Sequence, residues 1–98
     1  MDNIEIKKII LDLWDIFGEK EQLIIALEEL AELQKTITKR LRDINNPDFN
    51  FHDMVSELAD VCFVIDQLII NYQLQDRVDE MFTHKVKRTK QLMELYKE

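Results

Sequence analysis

The chain has 98 residues, of which 46% are hydrophobic and 34% charged, with one Gly and one Pro. That is room for a single domain over 1–98, and so little turn punctuation predicts an all-α fold rather than a sheet. Thirteen Lys and Arg against twenty Asp and Glu leave a net charge of −7, which sets the surface against polymeric nucleic acid and anionic membranes and removes both from the expected partners. Cys62 is the only cysteine, so a disulfide framework and a multi-cysteine metal site are excluded and a reducing, cytoplasmic setting is expected. The opening Met1-Asp2-Asn3-Ile4-Glu5 has no basic segment leading into an apolar one, and no uncharged apolar run approaches a bilayer span. A soluble, untargeted protein is the expectation.

Asn3 can cap a first helix, expected over roughly Asn3 to Phe17, whose apolar positions Ile6, Ile9, Ile10, Leu13, Trp14 and Phe17 recur at helical spacing; Gly18 suits the residue just past its end. A second helix is expected from about Lys20 to Ile44, with Leu23, Leu27, Leu30, Ile37, Leu41 and Ile44 on one stripe and Asn45-Asn46-Pro47 as the stop. Asn50, with Asp53 three residues on, resembles the capped start of a third helix running to about Tyr72. A fourth begins near Asp76 and carries Val78, Phe82, Val86, Leu92 and Leu95. From Leu58 to Ile70 ten of thirteen residues are apolar, distributed all round the helix, so the third helix should be central. Four helices of this size cannot readily wrap one of their number completely, and a homodimer or homotetramer is expected to complete the cover.

Helix two contains Leu27-Glu28-Glu29-Leu30-Ala31-Glu32-Leu33, and helix three Ser56-Glu57-Leu58-Ala59-Asp60-Val61. Residues three apart on a helix share a face, about 5–6 Å apart at Cβ, so Glu29 with Glu32 and Glu57 with Asp60 form two pincers. One such cluster alone reads most simply as a solvated helix face. Two matching pairs embedded in apolar sequence argue instead for acids that are protonated, paired with cations or bound to metal. An all-oxygen ligand set suits a hard cation, Mg²⁺ with Mn²⁺ as substitute, rather than zinc. A di-iron bundle requires Glu-x-x-His on two helices, and Phe49 and Met81 stand three residues before His52 and His84.

Glu28-Glu29-Leu30-Ala31-Glu32 resembles the Glu-Glu-x-x-Glu signature, and Glu57-Leu58-Ala59-Asp60 the Glu-x-x-Asp signature, of the MazG-like all-α nucleoside triphosphate pyrophosphohydrolases. The resemblance spans most of the chain. It implies a four-helix bundle completed by oligomerisation, and Mg²⁺-dependent hydrolysis of a (deoxy)nucleoside triphosphate between the α and β phosphates to a monophosphate and pyrophosphate. It further implies Glu29, Glu32, Glu57 and Asp60 as metal ligands and Glu28 as a catalytic acid that either supports those ligands from behind or orients the water. The alternatives are a dUTPase-like or alarmone-cleaving enzyme of the same superfamily, or a non-catalytic helical interaction module.

Lys35, Lys39, Arg40 and Arg42 follow the first acidic motif, and Lys85, Lys87, Arg88 and Lys90 lie on the last helix. Lys39, seven residues beyond Glu32, shares its face at a rise of about 10 Å and is a candidate phosphate contact; an ordinary solvated lysine is the other reading. Lys85 and Arg88 loosely resemble the basic C-terminal segment of that family, although Thr83 and His84 stand where its asparagine would precede them. Trp14 and Phe17 could stack on a base, or simply belong to the core.

Overall fold

In the computed structural model, which describes residues 1–97, the first helix is capped one residue earlier than the sequence suggests. The side chain of Asp2, not Asn3, accepts the Glu5 amide at 2.8 Å, which satisfies one of the open amides of the first turn of α1 (Asn3–Phe17). The helix ends at Gly18, whose φ of 88° lies where a side chain is disfavoured and whose N–H donates to the Trp14 carbonyl at 2.8 Å. α2 (Glu19–Arg42) starts at the very next residue, so this single glycine makes the whole corner.

α2 stops two residues short of the expected Ile44. There the Asp43 amide is shared between the Lys39 and Arg40 carbonyls, and the Arg40 guanidinium ties the following loop by donating to the carbonyls of Asp43 and Asn46, each at 3.2 Å. The same guanidinium lies over the rings of Phe49 and Phe51, 5.1 and 5.3 Å from their centroids, a favourable cation–π arrangement. Arg40 is thus occupied in shaping the loop. Asn50 accepts the His52 amide at 2.9 Å, a local turn that leads into α3 (His52–Asn71) rather than the cap itself, a position that Phe51 takes.

Between α3 and α4 (Gln75–Tyr96) the chain turns at Gln73, φ 55°, with the Leu74 amide donating to the Ile69 carbonyl at 2.9 Å. That is a helix-terminating left-handed residue without glycine. Asp76, expected to cap the last helix, lies inside its first turn; Leu74 holds the cap position and contributes no side-chain bond. No strand occurs among the described residues, and none of the described helices is long and apolar enough to cross a membrane.

The core is small and lies where α1, α2 and α3 meet: Ile10, Ala26, Val61 and Val64 are its buried apolar members. α2 and α3 form the main packed pair, α1 lies against both, and α4 packs on α3 alone. No residue of α4 is buried. The radius of gyration is 17.2 Å, against about 13 Å for a compact chain of this length, because α4 extends away from the three-helix body. Ile10, 0% exposed, is the best-packed side chain. Ile10→Ala should remove about 2–5 kcal/mol of stability by opening a void, measurable as a lower midpoint in denaturant; an unchanged midpoint would mean that the three-helix contact is not the core.

Much apolar surface stays uncovered. Leu27, Leu30, Ile37 and Leu41 form an exposed stripe on α2, and Val55, Leu58, Cys62 and Ile65 another on α3. The third helix is therefore central to the fold yet enclosed on only part of its circumference within one chain.

Candidate functional site

α2 and α3 run back to back in opposite directions: Lys39 meets Asp53, Glu29 meets Asp60, and Gln22 shares a cavity with Gln67. This register brings the two acidic motifs level. One carboxylate oxygen from each of Glu29, Glu57 and Asp60 lies within 4.8 Å of the other two. The separation is near that between opposed ligands on one octahedral Mg²⁺, about 4 Å, so these three are the residues that could hold a cation.

Two further observations bear on what these acids can do. Glu57 Oε2 is buried and has no hydrogen-bond partner, a state that is unfavourable for a carboxylate unless something positive or protic occupies the space in front of it. Glu29 is held above its ordinary carboxylate range, first by burial and then by the Asp60 carboxylate in contact with it, with smaller contributions from Glu57 and Glu32. The three acids thus form a cluster of mutually repelling hard oxygen donors, a set that fits a hard divalent cation.

The other expected site residues are distributed differently. Glu32 lies outside the close group, and its Oε1 pairs with Lys35 Nζ at 3.1 Å on the exposed side of α2; it still pushes Glu29 upward. Glu28 is exposed next to Glu29. Lys39 is exposed and 4.0 Å from Asp53, an association weak enough to leave its ammonium available to an anion. Lys85 and Arg88 are exposed on α4, and within one chain neither lines the cavity that Glu29 and Asp60 share.

Trp14 is engaged in the fold. Its ring meets that of Tyr72 edge to face at 5.4 Å, and the Tyr72 hydroxyl donates to Glu19 Oε2 at 2.6 Å. This bond to a carboxylate holds the Tyr72 hydroxyl above the usual tyrosine range. The trio fastens the end of α3 to the α1–α2 corner.

Phe17, offered by the sequence with Trp14 as a base-stacking candidate, lines the same cavity as Glu29 and Asp60, as do three residues not singled out in the sequence, Gln22, Phe63 and Gln67. The available signal was a polar residue at a buried stripe position. Gln22 is one turn before the buried Ala26, and Gln67 is three residues after the buried Val64. Comparison of the chain with protein-family models, with curated proteins and with solved structures gives no match.

Proposed function

We propose that the protein is a Mg²⁺-dependent nucleoside triphosphate pyrophosphohydrolase of the MazG-like kind, cleaving (d)NTP between the α and β phosphates. The observation that carries this reading is the convergence of Glu29, Glu57 and Asp60 from two helices, with one Glu57 oxygen buried and unpartnered. An acidic chain can hold a compact polyanion only where cations reverse the local field. Bound Mg²⁺ would supply a water of lowered pKa and neutralise charge on the departing pyrophosphate.

The chain's own residues divide the remaining work. Glu29, Glu57 and Asp60 hold the cation, and Glu32 joins them by leaving Lys35. Glu28, adjacent and exposed, orients the attacking water and accepts its proton. Lys39, on the same helix about 15 Å beyond Glu29, meets the far phosphates. No side chain needs to act as a covalent nucleophile, and the exposed Cys62 lies outside the cluster.

The uncovered stripes on α2 and α3 support a further part of the reading, that two or four copies assemble through them. α4 carries Val78, Met81, Phe82, Val86, Leu92 and Met93 at helical spacing, all exposed, and with little cover from its own chain it suits the same role. In such an assembly Lys85 and Arg88 can reach a neighbouring copy's carboxylates. Light scattering should give a dimer or tetramer. A well-folded monomer with these stripes exposed would contradict it. The same stripes favour a second reading, a non-catalytic helical interaction module whose acids serve solubility. A panel of dNTPs with Mg²⁺ separates the two: the enzyme releases pyrophosphate and a monophosphate, the module turns over none of them.

A further inference from the structure

Beside the carboxylates a cavity of about 280 Å³ opens between α1, α2 and α3. This is slightly below the roughly 300–1,000 Å³ of pockets that enclose a whole drug-sized ligand, so it has room for one ring system and not for a complete nucleotide. Gln22 lies seven residues before Glu29 on α2, and Gln67 seven after Asp60 on α3. Because the helices are antiparallel, both glutamines sit about 10 Å from the acids in the same direction. The cavity therefore has Glu29 and Asp60 at one end and the two amides, with Glu21 beside Gln22, at the other.

Gln22 and Gln67 are 3% and 4% exposed, yet neither side-chain amide is hydrogen-bonded to the rest of the described chain; Gln67 takes part only through its backbone carbonyl, which accepts from Asn71. Nor are their polar atoms sealed from solvent, since Glu57 Oε2 is the only sealed and unpartnered side-chain atom among the described residues. The amides retain access through the cavity they line. Two buried, unengaged amides offer both donors and acceptors in a recess whose remaining lining is mostly apolar, with Glu21 beside Gln22 and the two acids at the far end. Phe17, 58% exposed, and Phe63, 40% exposed, add aromatic surface to the same lining, of the kind that a flat heterocycle covers well.

We infer that this cavity receives the base of the nucleoside triphosphate, with Gln22 and Gln67 reading its hydrogen-bonding edge and Phe17 and Phe63 covering its ring, while the phosphates lie over Glu29, Glu57 and Asp60. The inference rests on the carboxylates being a triphosphate site. It assigns base selectivity to the two glutamines, because a buried amide left unpaired by the wrong edge discriminates more strongly than an apolar wall does.

The test uses the four 2′-deoxynucleosides, which lack phosphate and need no metal, titrated into the full-length protein and followed through the side-chain NH₂ signals of Gln22 and Gln67. Saturable shifts of both signals are expected, larger for some bases than for others. Gln22→Leu and Gln67→Leu, which place an apolar group of similar size in the cavity, should each weaken binding about tenfold or more, and Gln34→Leu on the exposed face of α2 should not. Helical circular dichroism on each variant confirms folding. Equal shifts with deoxyribose alone, or unchanged affinity in both Leu variants, would overturn the assignment. Base-selective binding without any triphosphate turnover would retain the pocket and remove the hydrolase; unselective turnover with silent glutamines would do the reverse.

Discussion

Asp60→Asn is expected to keep the helical fold and lose about a hundredfold or more of kcat/KM, the scale on which removal of one preorganised charge-stabilising group acts. The exchange alters one atom of a side chain that is exposed, so packing gives no reason for a loss of structure. It does change the electrostatics of its neighbour. Asp60 is the largest source, after burial, of the upward push on Glu29, and without that charge Glu29 ionises more readily. The metal-free variant should therefore melt no lower than the parent while turning over far more slowly. Steady-state kinetics alongside thermal melts check both halves; full activity in the Asn variant would remove Asp60 from the site.

The second large effect is the response of stability to Mg²⁺ and pH together. In the folded chain Glu29 binds its proton more tightly than an ordinary glutamate, whose value is 4.5. The metal-free fold is thus favoured by this group below pH 4.5, and the advantage disappears as pH rises through the elevated value. A divalent cation binds the ionised form, so its stabilisation runs the other way and is fully developed only above that value. At a hundredfold excess over its dissociation constant it supplies about 2.7 kcal/mol, which for a domain of this size is a rise in melting temperature of about 10 °C or more. The rise should be present at pH 7.5 and shrink as pH falls through the Glu29 titration. Glu29→Gln should raise the metal-free melting temperature at neutral pH and blunt the Mg²⁺ response. A melt indifferent to Mg²⁺ at every pH would contradict both.

The helices were legible because their punctuation is chemical. Gly18 turns the first corner with positive φ, and Asn46 lies in the loop between α2 and α3, its side chain accepting the Asp48 amide at 2.9 Å. Where the chain uses less common residues the boundary shifted. Gln73 takes the left-handed position usually held by glycine, and Asp2 caps ahead of the equally suitable Asn3. Glu57 and Asp60 share a face because i, i+3 geometry is fixed within a helix, whereas Glu29 joins them through the packing of α2 against α3 rather than through its spacing to Glu32. Glu32 shows the limit of that reasoning: in the structure its rotamer answers to Lys35. The cavity was not legible, because its shape depends on how α1 lies across the other two helices. Nor could one sequence say which side of the apolar third helix stays bare.

The central claim, that Glu29, Glu57 and Asp60 gather a hard divalent cation, is tested most directly by titrating paramagnetic Mn²⁺ into the protein and following backbone amide signals. The account predicts that signals around Glu29, Glu57 and Asp60 broaden first, that excess Mg²⁺ restores them, and that Asp60→Asn weakens the effect. Broadening spread evenly over the acidic surface, with Asp79, Glu80 and Glu94 on α4 affected as early as the cluster, would contradict it.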